Sequence, residues 1–150
     1  MTTAERTTGA AGPSLPRILI VDDEEAVQDV LREYFDDQGY AVETAPNAVA
    51  ALAAVRERLP DVVMLDLNLP GAMVGLEVLG ALAARCPVIV ITANTDDQVG
   101  HETLRLGAFD YVSKPFDFAY LDLAVQAALA CYAPRRDEPG PPGGDLRSQI

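Results

Sequence analysis

The stretch Asp61-Val-Val-Met-Leu-Asp-Leu-Asn-Leu-Pro70 decides how the rest of the chain is organised. Its apolar run, 62–65, is short, partly β-branched and bounded by Pro60 and Pro70, which is typical of a strand buried on both faces. Asp66 follows at the carboxyl end of that strand, where open α/β sheets bind their ligands. An aspartate in this place can also simply cap a turn or a helix. This stretch alone leaves both interpretations open.

Short apolar runs alternate with segments of helical periodicity along the whole chain. The predicted strands are Arg17–Val21, Tyr40–Thr44, Val62–Leu65, Pro87–Thr92 and Phe109–Ser113. The predicted helices are about Glu24–Gln38, the segment from Asn47 to Pro60, Leu76–Arg85, about Asp97–Leu106 and Phe118–Tyr132. Repeated strand-then-helix units predict a parallel sheet with right-handed crossovers, and a doubly wound three-layer α/β/α sandwich fits this size. The order of the strands does not follow from the pattern.

The two ends of the chain differ in composition from the periodic part. Residues 1–16 are rich in Thr, Gly, Ala and Pro and predict a disordered tail. Residues 17–132 form the expected domain. From residue 133 to 150 the composition shifts to Pro, Gly, Asp and Arg, which predicts a disordered tail or a truncated linker. The chain is therefore either a single-domain protein or a piece cut within a linker.

Composition narrows the classes of function. The chain has 150 residues and a formal net charge of -12, which argues against a nucleic-acid-binding surface built from Lys and Arg. Cys86 and Cys131 form no metal-ligand spacing and are expected to be buried thiols in a reducing compartment. No apolar stretch approaches the length of a membrane span, and the N-terminus lacks the apolar core of a secretory signal. We therefore expect a cytoplasmic protein without a membrane partner.

Polar residues stand at the carboxyl ends of the predicted strands. They are Asp22, Asp23, Asp66, Thr92 and Lys114. In a parallel sheet these ends meet at one edge, so the carboxylates would repel one another unless a cation lay between them. Mg²⁺ and the ammonium of the lysine are suitable cations, and together they allow a carboxylate to accept a phosphoryl group. Residue chemistry alone thus suggests an aspartyl-phosphate site.

Four segments carry a resemblance to a known family. They are Ile18-Leu-Ile-Val-Asp-Asp-Glu-Glu25, Asp61–Pro70, Val88-Ile-Val-Ile-Thr-Ala93 and Gly107-Ala-Phe-Asp-Tyr-Val-Ser-Lys-Pro-Phe116. In this order and at these separations they resemble the signature blocks of response-regulator receiver domains of two-component signalling, among them the single receivers that resemble chemotaxis regulators. The resemblance covers about residues 17–132. It implies a flavodoxin-like sheet with the strand order 2-1-3-4-5.

The resemblance also implies roles for the acidic residues. Asp66 would be the phosphoacceptor and, with Asp23, a direct ligand of Mg²⁺. Asp22 would act on the metal through a bound water, and the backbone carbonyl of Asn68 would complete the protein ligands. The side chains of Asn68 and Asn94 occupy positions that tune attack of water on the phosphorylated aspartate.

Further roles fall on the last two strands. Lys114 would contact the phosphoryl group, next to a cis bond to Pro115. Thr92 and Tyr111 would form the switch pair: the hydroxyl moves toward the phosphoryl group and the ring fills the vacated space. The implied partners are a sensor histidine kinase or a histidine phosphotransfer protein and an unknown downstream protein. Such a receiver assists its own phosphorylation and does not turn over a free substrate.

Two other functions remain as alternatives. A phosphohydrolase with a nucleophilic aspartate, similar to the haloacid dehalogenase superfamily, would carry the nucleophile after the first strand and a second Asp two residues later, where this chain has Asn68 after Asp66. A pseudo-receiver would keep the fold as an interaction module without phosphorylation. The atypical loop at Ala72–Val74 keeps this second alternative open. A short third helix, weakened by Gly80, argues against a typical partner surface on that side of the domain.

Overall fold

The computed structural model describes residues 15–69, 75–93 and 97–137. The strands are β1 (Arg17–Val21), β2 (Ala41–Ala45), β3 (Val62–Leu65), β4 (Val88–Thr92) and β5 (Asp110–Ser113). The helices are α1 (Glu25–Asp37), α2 (Ala48–Glu57), α3 (Gly75–Ala83), α4 (Asp97–Arg105) and α5 (Phe118–Asp137). The atypical loop at Ala72–Val74, Asn94 and most of both expected tails lie outside the described residues.

In the described part of the chain, the five strands form one parallel sheet in the order β2-β1-β3-β4-β5. The predicted fold, a flavodoxin-like doubly wound sheet, is confirmed. The register places Val21 beside both Ala45 and Leu65, and Thr92 beside Ser113. Residues that directly follow β1 and β3 therefore leave the sheet at the same level.

The sheet separates two apolar clusters, because successive side chains of a strand point to opposite faces. On one face, Ile18 and Ile20 of β1 pack with α1 and α5, around the fully buried Phe35 and Leu121. On the other face, the alternate β1 residues pack with α2 and α3. Burial of both faces explains why β1, β3 and β4 are almost continuously apolar in sequence.

The helix ends follow the local chemistry that the sequence suggests. The side chain of Asn47 accepts a hydrogen bond from Ala50 N at 2.8 Å and caps α2. Gly39 (φ 97°) and Gly107 (φ 109°) adopt left-handed conformations in the turns after α1 and α4, which favour glycine. A glycine directly after the last periodic residue is the helix-end signal that the sequence carries at both positions.

Some boundaries differ from expectation. β2 begins at Ala41 and not at Tyr40, because the amide of Tyr40 is used by the end of α1: it donates to Phe35 O at 3.1 Å. The last helix continues to Asp137, past the expected end at Tyr132 and through Pro134. The change in composition from residue 133 therefore does not end this helix. Pro16, the last residue of the expected N-terminal tail, belongs to the folded domain, because its main-chain oxygen accepts a hydrogen bond from Ala41 N.

Candidate functional site

The carboxyl ends of β1, β3 and β5 bring three charged side chains together. The ladder of main-chain hydrogen bonds continues one residue beyond the strands, since Asp66 N donates to Val21 O at 2.9 Å and Lys114 N donates to Thr92 O at 2.8 Å. The main chains at Asp66 and Lys114 are thus fixed by the sheet itself. The next residue after β1 is Asp22, which lies level with Asp66 because their preceding residues are paired.

Lys114 lies between the two buried carboxylates. Its Nζ is 3.1 Å from Asp22 Oδ2 and 3.3 Å from Asp66 Oδ2, and it is 3.9 Å from an oxygen of the exposed Glu24. Asp22 and Asp66 are only 3% and 5% exposed. The peptide bond from Lys114 to Pro115 is cis, as the resemblance implied. One ammonium therefore faces two acids that have little access to water.

Further hydrogen bonds fix Asp22 and were not foreseen from the sequence. Its Oδ1 accepts from Glu24 N at 2.9 Å, and its main-chain oxygen accepts from Gln28 Nε2 at 2.6 Å. The first of these closes an Asx turn, in which an aspartate accepts from the amide two residues later. Asp22 therefore forms the turn that leads into α1, whose N-cap is Glu24, and also belongs to the acidic pocket.

Burial and neighbouring charges together set the pKa values in the pocket. Removal from water raises the pKa of Asp22 above its usual 3.8, and the charge of Asp66 adds to this, although hydrogen bonds from Glu24 N and Lys114 oppose it. Burial on its own would lower the pKa of Lys114, but its hydrogen bond to Asp22 and the negative charges of Asp22 and Asp66 raise it above 10.5. The lysine is therefore a fixed positive charge at neutral pH.

Three carboxylates are close enough to share a cation. One oxygen from each of Asp22, Asp23 and Asp66 lies within 4.8 Å of the others. In an octahedral ion with bonds of 2.0–2.1 Å, adjacent ligands are about 2.9 Å apart and opposite ligands about 4.2 Å, so carboxylates this close can serve one ion through direct bonds and a bridging water. Asp23 is exposed, which leaves one side of the cluster open to water. The donor set, made of oxygens alone, fits a hard divalent ion.

Asn68 connects Asp66 to Thr92. Its main-chain N donates to Asp66 Oδ1 at 3.0 Å, and its side-chain Nδ2 is 3.5 Å from Thr92 Oγ1, at the limit of a hydrogen bond. The sequence suggested roles for the carbonyl and the position of Asn68 but not these amide contacts. In an Asx turn, an aspartate side chain accepts a hydrogen bond from the main-chain N–H two residues later. The contact of Asn68 N with Asp66 could therefore have been inferred from the sequence.

The two expected switch residues lie in the neighbouring strands β4 and β5. Thr92 ends β4 and is fully buried. Tyr111 lies in β5, paired with Val90, and its half-buried ring is directed at Gly100 in α4. His101, the single histidine, is exposed on α4, as expected for a surface residue.

Gly75 is a site residue that sequence reasoning missed. A Cβ at this position would collide with the main-chain oxygen of Leu67 and lie 2.7 Å from its carbonyl carbon. Because Leu67 directly follows Asp66, the start of α3 is pressed against the acidic loop. No spacing or composition signal marks this contact, which depends on how α3 packs.

Comparison with known proteins agrees with the fold. A family model described as response regulator receiver domain matches residues 18–126. Transcriptional regulatory protein KdpE of Mycobacterium tuberculosis is 46% identical over 114 residues, which cover 75% of this chain and 50% of KdpE. Sporulation initiation phosphotransferase F of Bacillus subtilis is 36% identical over 116 residues, which cover 75% of this chain and 93% of that protein.

A solved structure gives the same result. The response regulator receiver domain protein (CheY-like) from Methanospirillum hungatei superposes with a TM-score of 0.76 at 29% identity, covering 81% of this chain and 99% of that one. The chain spans half or less of the length of several curated relatives, 50% of KdpE and 27% of Regulatory protein AtoC from Escherichia coli. Among the described residues, no helix has the length and apolar character that a membrane span requires.

Receiver domains are signalling modules and not enzymes that turn over a substrate. The match covers most of the chain, and the acidic pocket lies where three strands of the matched region end. The chain therefore belongs to the response regulator receiver domain family of two-component signalling.

Proposed function

We propose that Asp66 accepts a phosphoryl group from a histidine kinase or a histidine phosphotransfer protein and that this changes the affinity of the domain for a partner. The contact of Asp66 with Lys114 at 3.3 Å, inside a shared carboxylate cluster, is the observation that carries the proposal. A nucleophilic carboxylate needs nearby positive charge when a phosphoryl group approaches, and Lys114 provides it.

The chemical step is an in-line transfer. A carboxylate oxygen of Asp66 forms a bond to phosphorus while the bond from phosphorus to the imidazole nitrogen of the donor breaks, and that nitrogen keeps the electron pair. Lys114 Nζ stabilises the negative charge on the transferred oxygens. Asn68 N already donates to Asp66 Oδ1, which supports Oδ2 as the attacking atom.

Mg²⁺ is the proposed metal. Asp23 and Asp66 would bind it directly, Asp22 through a water, and Asn68 through its backbone carbonyl. When bound, Mg²⁺ neutralises charge on the phosphoryl oxygens. The carboxylate cluster supports this assignment because Mg²⁺ prefers carboxylate and water ligands.

Signal transmission is proposed to run through Thr92 and Tyr111. The hydroxyl of Thr92 would hydrogen-bond to a phosphoryl oxygen on Asp66, and the contact with Asn68 at 3.5 Å is weak enough to exchange for it. Movement of Thr92 would then alter the space next to Tyr111. The phosphoryl group acts by favouring one of two arrangements that already exist.

Phosphorylation with acetyl phosphate and Mg²⁺ tests the proposal. Wild type is expected to gain the mass of one phosphoryl group, whereas Asp66→Asn is expected to gain none. Asp61→Asn is the matched control, since Asp61 lies at the other end of β3 and accepts from Arg17 N. This control should be phosphorylated like wild type. Equal labelling of Asp66→Asn, or no labelling of wild type, would contradict the proposal.

The donor and the target are proposals that further experiments can separate. Sporulation initiation phosphotransferase F is named for phosphotransfer, and KdpE for transcriptional regulation. By analogy, we propose that a phosphohistidine protein supplies the phosphoryl group and that a protein, not nucleic acid, contacts this acidic domain. Transfer from a panel of radiolabelled kinases would identify the donor by its rate.

A further inference from the structure

A notch in α4 receives the ring of Tyr111. Gly100 is buried in this helix, and a Cβ built on it would lie 3.2 Å from Cε2, 3.4 Å from Cδ2 and 3.6 Å from Cζ of the Tyr111 ring. Carbon atoms in favourable contact are about 3.5–4.0 Å apart. The ring thus occupies space that exists because residue 100 has no side chain.

Gly80 shows that this close contact is not a general property of helical glycines here. It lies inside α3, and a Cβ on it would meet nothing within 4 Å. Glycine inside a helix is less stable than alanine, so both positions carry the same intrinsic cost. At Gly100 an aromatic ring lies in the space that a Cβ would need, whereas at Gly80 that space is open.

The backbone of Tyr111 has little freedom to move away. It is paired with Val90 in the sheet, and its amide donates to Asp110 Oδ1 at 2.7 Å. The other oxygen of Asp110 accepts from the hydroxyl of Tyr120 at 2.6 Å, which ties this carboxylate to α5. Because the main chain is held, a change at Gly100 is expected to act on the side-chain rotamer of Tyr111.

We propose that Gly100 is a positioning residue that holds the Tyr111 ring in its observed orientation and sets how often the ring leaves it. This inference rests on the proposed function for the role of Tyr111 in signalling, but the position of the ring can be tested without phosphorylation. A methyl group at residue 100 would occupy part of the notch and shift the ring population away from the observed orientation.

The experiment compares Gly100→Ala with Gly80→Ala in unphosphorylated protein. Fluorine-labelled tyrosine gives a resonance for residue 111, which Tyr111→Phe assigns by its loss. The resonance is expected to shift in Gly100→Ala and to stay in place in Gly80→Ala. An unchanged resonance in Gly100→Ala, or an equal shift in both variants, would overturn the proposal.

Urea denaturation provides a second measurement, which separates contact with the Tyr111 ring from the higher helix propensity of alanine. Gly80→Ala is expected to raise the midpoint, and Gly100→Ala to raise it less or lower it. In a Tyr111→Ala background, Gly100→Ala should raise the midpoint as Gly80→Ala does, because the ring is gone. Equal effects of Gly100→Ala in both backgrounds would contradict the contact.

The outcomes are separable from those of the phosphorylation test. If wild type fails to take up phosphate but the resonance shifts only in Gly100→Ala, the proposed function fails and the positioning role stands. If wild type is phosphorylated and the resonance does not move, the positioning role fails alone.

Discussion

The two ends of the same sheet use similar ion pairs in different surroundings. At the amino end, Arg17 and Glu43 are 2.8 Å apart, with side chains 23% and 46% exposed. At the carboxyl end, Lys114 is 3.1 Å from Asp22 and 3.3 Å from Asp66, with side chains 17%, 4% and 6% exposed. The pair of Arg17 and Glu43 has the shorter distance, but it is a common type of solvent-accessible ion pair. Burial, and two acids for one ammonium, distinguish the carboxyl end, where the candidate site lies.

This difference has an energetic meaning. An exposed pair gains little, because water and salt screen the charges and two long side chains must be ordered. In the buried group each charge has lost water, so its stability depends on its partners being present. Variants at the two ends should therefore differ strongly in effect.

The largest effect is expected from Lys114→Met. Removing the ammonium leaves the buried carboxylates of Asp22 and Asp66 without their cation, which should lower the free energy of unfolding by about 3 kcal/mol in chelator-treated buffer. Arg17→Met, at the other end of the sheet, should cost about 1 kcal/mol or less. Urea denaturation measures both. Equal losses would remove the distinction between the two ends.

Magnesium should stabilise the carboxyl end alone. At a concentration about 100 times its dissociation constant, a ligand of the folded state adds about 2.7 kcal/mol to the free energy of unfolding. Wild type and Glu43→Gln are expected to gain this amount with Mg²⁺. Asp66→Asn should gain clearly less, because it lacks one of the clustered carboxylates. Thermal unfolding with and without Mg²⁺ measures the gain, and the same gain in all three proteins would exclude this site.

A smaller, pH-dependent effect is expected at Asp22. Burial, reinforced by Asp66, raises its pKa in the folded state, so the folded protein binds this proton more tightly than the unfolded chain does. The contribution of Asp22 to stability is therefore full below pH 3.8 and is lost as the pH rises through the folded-state pKa. In metal-free buffer, the stability of Asp22→Asn relative to wild type should rise over this range. Urea denaturation from pH 3.5 upward would show it, and a constant difference would contradict it.

The smallest effect is expected from the exposed pair. Glu43→Gln should change the free energy of unfolding by about 0–1 kcal/mol, and the change should shrink as salt is added, since the Debye length falls to about 3 Å at 1 M. Denaturation at low and high salt measures this. A larger loss that resists salt would mean that Arg17 and Glu43 are shielded from solvent in solution.

Sequence patterns predicted the strands and the meeting of their carboxyl ends, because both depend on the order of elements along the chain. Buried parallel strands read as apolar runs, and their carboxyl ends meet at one edge, so the convergence of Asp22, Asp66 and Lys114 followed from local patterns and topology. The resemblance added the strand order and the cis bond before Pro115, and the structure agrees with both.

The missed features depend on packing distances that a linear pattern does not contain. Asn68 lies in the loop after β3 and Thr92 at the end of the neighbouring strand β4, so their contact depends on the path of that loop. The contact between Gly100 and the Tyr111 ring could not be predicted, because a glycine in a weakly periodic helix does not indicate which side chain packs against it. The late start of β2 depended on the amide of Tyr40 being taken by α1.

The tight approach of Gly75 to Leu67 has a consequence for anyone who redesigns the domain. Even the smallest side chain at this position would collide with the peptide group between Leu67 and Asn68, one residue beyond Asp66. Grafting a different third helix onto this scaffold would therefore have to preserve the glycine, or Asp66, the proposed phosphoacceptor, would be displaced along with the loop that follows it.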